Sequence, residues 1–185
     1  MRALRDQTVG IIGLGRIGHS VGKRLQAFGC KVLVTDPVVS DDIIESIGGT
    51  RVSTDQLLAD SDIVTLHCPS TPSTRNIIDK AALKQMKEGS ILINVGRGDL
   101  VELAAVTEAL ASGHLSAAAL DVFEQEPIPA EHAILPNQNL IVTSHIASCS
   151  PTASRTLRET AANLVVMASK GETLPHVVNG VGSEE

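Results

Sequence analysis

The 185-residue sequence contains no tryptophan, no tyrosine and only two phenylalanines, Phe28 and Phe123. Proteins that hold unpaired nucleic acid stack bases on aromatic rings, so that mode of binding is excluded. Positive charge is also short. Fifteen Lys and Arg stand against 21 Asp and Glu, a formal net charge of −6, the wrong sign for neutralising a phosphate backbone by counterion release. No direct nucleic-acid partner is expected. Long apolar runs are missing: each Ile/Val-rich stretch is broken by glycine or charge well short of the roughly 20 residues that span a bilayer, so a soluble chain without a membrane partner is expected. The opening residues carry Arg2, Arg5 and Asp6 and run into glycine-interrupted sequence instead of an export signal. Cysteine is sparse. Cys30, Cys68 and Cys149 are odd in number and have no CxxC or Cys/His ligand spacing, which points to reduced thiols in a cytoplasmic compartment and to no metal site.

What is present is a core-forming composition, 43% hydrophobic and 19% charged, too apolar for a disordered chain. Short Ile/Val runs predict strands at 8–13, 31–35, 50–52, 62–66, 90–95, 116–120 and 140–143. Amphipathic stretches between them predict helices at 17–28, 41–47, 54–59, 80–87 and 102–112, and a last helix at about 151–170. Strands without polar alternation, separated by helices, are the pattern of a parallel sheet covered on both faces. The expected fold is therefore a doubly wound, Rossmann-type α/β sheet. No low-complexity linker or repeat divides the chain, and 127–136 reads as a proline-dense loop. The expected layout is a nucleotide-binding domain over 1–150, a C-terminal helix and return segment over 151–178, and a flexible tail over 179–185.

Gly13-Leu14-Gly15-Arg16-Ile17-Gly18 follows the first strand and opens the first helix, the context that gives a G-x-G-x-x-G pattern its meaning. Gly13 suits the tight turn, Gly15 lets a pyrophosphate approach the backbone, and Gly18 lets helix and sheet pack closely, with the helix N-terminus facing the phosphates. Asp36 ends the second strand, 18 residues beyond Gly18. A carboxylate there accepts hydrogen bonds from the adenosine ribose hydroxyls and repels a 2'-phosphate, so NAD is expected over NADP.

Further segments follow in order: Leu66-His67-Cys68-Pro69 with Thr71-Pro72, Asn94-Val95-Gly96-Arg97-Gly98, Ala119 to Pro127, and Thr143-Ser144-His145-Ile146. Together with the glycine loop they resemble the D-isomer-specific 2-hydroxyacid dehydrogenases over nearly the whole chain. That family includes phosphoglycerate, hydroxypyruvate and D-lactate dehydrogenases and the C-terminal binding protein corepressors. The resemblance implies three catalytic groups. Arg97, beyond a strand's carboxyl end, would clamp the carboxylate of a 2-oxo acid with its planar fork. His145 would be the general acid/base. Glu126 would pair with the histidine, favouring its charged form and fixing the ring. The cofactor contacts implied are Gly13, Gly15, Arg16, Ile17, Gly18, Asp36, Pro37, Cys68, Pro69, Thr74, Val95, Gly96, Arg97, Asp121 and His145, with Asp121 on the nicotinamide side.

The other histidines, His19, His67, His114, His132 and His176, read as structural residues or at most as lining the site, and for Glu124, near Glu126 in sequence, a solvated loop charge stays open. Neither Cys68 nor Cys149 has a base spaced to make it a nucleophile. Two positions depart from the family pattern: Gly96 stands where alanine is common, and Ser144 where a proline usually precedes the histidine, which predicts a looser loop around His145. Family members place a substrate-domain segment ahead of the cofactor domain. The sequence here opens just before the first strand, so that lobe is expected to be missing and full activity to need it. The family's dimers imply a homodimer, to which 99–114 could contribute. Two functions fit these readings: an NAD-dependent dehydrogenase of a small 2-hydroxy acid, or an NAD(H)-binding interaction module of the corepressor kind without turnover. Methyltransferases that use S-adenosylmethionine share the glycine loop but not the later segments.

Overall fold

The computed structural model describes residues 3–175 and 177. The tail expected at 179–185, and His176, lie outside them. The chain divides into two compact units, Met1–His145 and Ile146–Glu185, so the division falls ahead of residue 150. The first unit holds seven strands: β1 (Thr8–Ile12), β2 (Lys31–Thr35), β3 (Gly49–Arg51), β4 (Ile63–Leu66), β5 (Ser90–Asn94), β6 (Leu115–Leu120) and β7 (Leu140–Val142). Between them run α1 (Arg16–Ala27), α2 (Asp41–Glu45), α3 (Thr54–Asp60), α4 (Lys80–Gln85) and α5 (Leu103–Ser112). The second unit contains α6 (Pro151–Ser169), whose N-terminus is capped by the Ser150 hydroxyl accepting from the Ala153 N–H at 3.0 Å.

The strands pair in parallel in the order β3-β2-β1-β4-β5-β6-β7, a doubly wound sheet. Successive residues of a strand face opposite sides, and both sides here are apolar. Ile11 joins Val32, Val34, Ile44 and Ile47 on one face, while its neighbour Ile12 joins Leu33, Leu57, Val64 and Leu66 on the other. Burial on both faces explains why the strands read as uninterrupted Ile/Val runs. Connections leave β1 in one direction and β4 in the other, so the topological switch point, where open α/β sheets bind ligands, lies between the carboxyl ends of these two strands.

Local signals set the helix ends. Ser53 caps α3 by accepting from Gln56 N–H, and Asp79 caps α4 by accepting from Ala82 N–H at 2.7 Å. Two helices, α2 and α4, end two residues before the sequence predicts. α4 stops at Gln85 because Met86 turns extended and buries its side chain in the core. α2 stops at Glu45, where the chain turns towards Gly48 at φ 64°. Two 3-10 turns, Leu4–Asp6 and Gly98–Leu100, were not anticipated. Among the described residues no helix is long and apolar enough to cross a membrane.

Candidate active site

The carboxyl end of β1 runs into a turn made by main-chain atoms. Gly13 sits at φ +90°, a conformation that disfavours any side chain, and a Cβ there would lie 2.5 Å from the Cys68 amide nitrogen after β4. Its N–H donates to Thr35 O at 2.9 Å, and His67 N–H donates to Ile12 O at 2.8 Å, which locks β1 to both neighbours at the switch point. Gly18 lies against Gly13, where a Cβ would come within 2.2 Å of the Gly13 carbonyl oxygen. Gly15 differs. It begins α1 without a side-chain cap, and a Cβ there would meet nothing within 4 Å. The 12-residue helix therefore starts without a side-chain cap and with open space beside Gly15, the arrangement that receives a phosphate.

Asp36 completes this edge. Its Oδ2 accepts from Leu14 N–H at 2.7 Å, and its Oδ1 accepts from Val38 and Val39 N–H at 2.8 and 3.0 Å. Burial pushes the carboxyl up, but these three amides, helped by Arg51, outweigh it and hold the group below its ordinary value. The result is an ionised carboxylate tied to the glycine loop. An uncapped helix start, the space above Gly15 and this carboxylate together fit a dinucleotide. Arg16, Ile17 and Pro37 are exposed beside the cradle, and Cys68 is buried under it. Burial raises the Cys68 thiol pKa, with Asp36 adding to the effect, which suits an unreactive thiol. The Thr74 hydroxyl closes its own turn, donating to Pro69 O at 2.7 Å and accepting from Thr71 N–H at 2.8 Å.

Further along the same edge, a cleft of about 520 Å³ is lined by Ser70, Arg75, Arg97, Gly98, Asp99, Phe123, Glu124, Glu126 and His145. All three expected catalytic residues thus meet in one place. Arg97 follows β5 in a loop pinned by the buried side chain of Asn94, whose amide donates to Arg97 O at 2.9 Å and accepts from Gly96 N–H at 3.0 Å. A Cβ on Gly98 would lie 1.9 Å from the Phe123 carbonyl carbon, so only glycine lets this loop press against the segment that carries Glu126. Glu126 accepts from Phe123 N–H at 2.9 Å through Oε1 and pairs with His145 Nδ1 at 2.8 Å through Oε2. The histidine bond, then the Phe123 amide, hold the Glu126 carboxyl below its ordinary range. Engagement of Nδ1 leaves Nε2 as the ring nitrogen that can exchange a proton with a substrate.

His145 has φ 57°, a left-handed conformation that is uncommon outside glycine. Without the proline, the turn is tied in other ways: His145 N–H donates to Asp121 O at 2.8 Å, Thr143 N–H donates to Leu120 O at 3.1 Å, and the Thr143 hydroxyl donates to the Asp121 carboxylate. Asp121 is itself buried, so it braces the His145 turn.

Some site residues escaped the sequence reading. Arg75 bridges the cleft, pairing with Glu124 and, at 3.4 Å, with Asp99, which also accepts from the Ser70 hydroxyl at 2.6 Å. Glu124 is therefore an ion-pair partner and not a bare loop charge. Arg51 ties the turn after β2 through Asp41 and the carbonyls of Asp36 and Val39. Two of the remaining described histidines have bland roles: half-buried His67 lies with its Nε2 3.1 Å from the Thr65 hydroxyl, and His114 Nε2 meets Leu83 O at 2.7 Å. Among the described residues no group of three or more His, Cys, Asp or Glu is arranged to hold a metal.

Comparison with known proteins places these features in a wider set. The family described as "D-isomer specific 2-hydroxyacid dehydrogenase, NAD binding domain" matches residues 1–147. A D-3-phosphoglycerate dehydrogenase of Archaeoglobus fulgidus is 41% identical over 95% of this chain and 33% of its own length. A glyoxylate reductase of Korarchaeum cryptofilum is 38% identical over 94% of this chain and 52% of its own. The chain thus spans between a third and about half of these curated relatives. Among solved structures, D-lactate dehydrogenase from Aquifex aeolicus, complexed with NAD and lactic acid, superposes with a TM-score of 0.86 at 35% identity, over 92% of this chain and 56% of that one.

Proposed function

Because the chain belongs to the D-isomer specific 2-hydroxyacid dehydrogenase family, as its NAD-binding domain, we propose that it is the cofactor-binding and acid/base-bearing part of an oxidoreductase that interconverts a small 2-hydroxy acid and its 2-oxo acid. The observation that carries this reading is the convergence of Arg97, Glu126 and His145 on one cleft, beside an uncapped helix start and an ionised Asp36. When bound, NAD supplies or accepts the hydride at C2. The rest belongs to the chain. Arg97 holds the substrate carboxylate with its fork, His145 Nε2 gives a proton to the substrate oxygen during reduction and takes it back in reverse, and Glu126 fixes the ring through Nδ1. The cofactor rests on Gly13 to Gly18 and Asp36, with Pro37, Cys68, Pro69, Thr74, Val95, Gly96 and Asp121 around it. Residues up to His145 are the nucleotide-binding part, and the second unit, which holds α6, is the return segment toward a substrate domain. A cytoplasmic homodimer completes the reading. The free thiols Cys30, Cys68 and Cys149 suit a reducing compartment, and the dimer is drawn from the family resemblance.

The test has two arms. NADH and NADPH titrated against the chain, read by cofactor fluorescence, should show saturable binding that favours NADH and shifts toward NADPH in Asp36→Ser. With a relative's substrate lobe supplied in trans and a panel of 2-oxo acids, Arg97→Met, Glu126→Gln and His145→Gln should each lower turnover about 10²- to 10⁴-fold while NADH affinity stays mostly intact. Undiminished turnover in all three refutes the assignment. One observation favours the second reading, NAD(H) binding without turnover: the side chains of His145 and Glu126 are 48% and 38% exposed, whereas hydride transfer works in a water-poor cleft. Failure of the folded, lobe-supplied protein to reduce any 2-oxo acid would select it.

A further inference from the structure

We propose that Arg51, on the edge strand β3, is a specificity-determining residue for the cofactor, holding the 36–41 turn so that the Asp36 carboxylate is presented to the ribose hydroxyls. The inference rests on the NAD reading above and goes beyond it. Val34 pairs with Arg51 across β2 and β3, and Val52 N–H donates to Val34 O at 3.0 Å, so the arginine stands where β2 gives way to the turn. Its guanidinium then reaches three parts of that turn: Nε donates to the Asp41 carboxylate, one terminal nitrogen to the Asp36 carbonyl and the other to the Val39 carbonyl. The pair with Asp41 alone would contribute little, because the Asp41 side chain is 71% exposed and exposed ion pairs are weak. The two carbonyl bonds matter more, since they fix the main chain on both sides of Pro37 and Val38.

That main chain positions the specificity group. Asp36 Oδ1 is aimed by Val38 and Val39 N–H and Oδ2 by Leu14 N–H. Each carboxylate oxygen accepts about two hydrogen bonds, so at least one acceptor direction remains for a ribose hydroxyl as long as the turn keeps its shape. Without Arg51 the Asp36 and Val39 carbonyls lose their donor, and the turn can swing the carboxylate away from the glycine loop. An arginine near this turn commonly marks a partner for a 2'-phosphate. Here one N–H on each of the three guanidinium nitrogens is given to the turn, which holds the fork against the main chain, so Arg51 serves the selection that Asp36 makes by charge by keeping that carboxylate in place. The planar fork spreads its donors over three nitrogens in a fixed geometry, whereas a lysine ammonium gathers its three donors on one atom and cannot span the same acceptors.

The experiment is a fluorescence titration of the chain with NADH and with NADPH, for the unmodified protein, Arg51→Met, Arg51→Lys, Asp36→Ser and the Asp36→Ser/Arg51→Met pair, each checked by urea unfolding. Arg51→Met should weaken NADH about tenfold and NADPH less than about twofold, so that the preference for NADH collapses, and Arg51→Lys should recover part of it. In the Asp36→Ser background, with no carboxylate left to present, Arg51→Met should change NADH affinity less than about twofold. Equal loss for both cofactors, or the same loss in both backgrounds, would show a merely structural arginine and overturn the proposal. Should Arg51→Met fail to fold, Arg51→Lys carries the test: a lowered NADH preference supports it and an unchanged one overturns it. An unmodified, folded chain that binds neither cofactor refutes the cofactor reading and this inference with it. Binding of NADH that Arg51→Met leaves intact refutes only the inference.

Discussion

At the carboxyl end of β1 the chain builds with main-chain atoms, and beyond β5 and β6 it builds with charged side chains. The first region is closed in on itself. Gly13 touches the Cys68 backbone, Gly18 touches Gly13, and Asp36 is bound by three amides. The second is a set of loops whose working groups, Arg75, Glu124, Glu126 and His145, are each more than a third exposed and are held by one another. A cradle made of backbone is set by the fold and is ready before a ligand arrives. A constellation of exposed charges depends on its pairings and on what covers it, because water and salt screen such pairs. The two regions should therefore fail in different ways.

The largest effect should come from Gly13→Ala. The new Cβ meets the Cys68 backbone at 2.5 Å in a positive-φ conformation, and backbone strain alone costs on the order of 1–3 kcal/mol. NADH binding should fall at least about 100-fold and the urea midpoint should drop with it. Gly15→Ala separates the two effects. Its Cβ meets no protein atom within 4 Å, so stability should stay within about 0.5 kcal/mol, yet NADH should bind about tenfold more weakly because the methyl group occupies the approach of the pyrophosphate. Unchanged binding in Gly15→Ala would mean that the open space above the helix is not where the phosphates lie.

The same contrast explains what could be read from sequence. The cradle was legible because its parts are local: one hexapeptide, one strand end and an acid at a fixed distance, in a sheet whose Ile/Val runs announce burial on both faces. Arg97, Glu126 and His145 were found through motif resemblance, and the structure gathers them in one cleft. The bonds that hold them left no local trace. Arg75 meets Asp99 and Glu124 across separations of 24 and 49 residues, and Arg51 meets the 36–41 turn from a neighbouring strand. Charged residues spread through loops carry no period, so only the fold reveals their partners. The Gly98–Leu100 turn was missed for a related reason, as three residues are too few to show a repeat. Asn94 stood inside a motif already noted, and a buried polar side chain ending a strand could have been questioned for its partners.

A smaller effect probes the second region, the cleft. His145 pays for its left-handed backbone, and His145→Gly and His145→Ala both remove the ring and its bond to Glu126. Their difference isolates the backbone. His145→Gly should be more stable than His145→Ala by about 1 kcal/mol, measured by urea unfolding, if the bond from His145 N–H to Asp121 O keeps the turn left-handed. Equal stabilities would mean that the ring, and not the Asp121 brace, imposes the conformation.

The smallest effect is also the most direct comparison of the two regions, because each contains a carboxyl held below its ordinary value. For Asp36 the cause that wins over burial is the set of three amides, and for Glu126 it is chiefly the bond with His145. A carboxyl depressed in the folded state adds stability that is complete above its unfolded value, near 4, and is lost as pH falls through the lower folded value. Unfolding midpoints should therefore decline between about pH 5 and pH 2, and removing either acid should flatten that decline. Asp36→Asn should flatten it more, since main-chain amides cannot swing away. Glu126→Gln should do so only slightly, as its pair is exposed and screened, and less still in 1 M salt. A greater flattening from Glu126→Gln would reverse the comparison: the exposed pair, and not the main-chain cradle, would be the stronger brace of the folded state against acid.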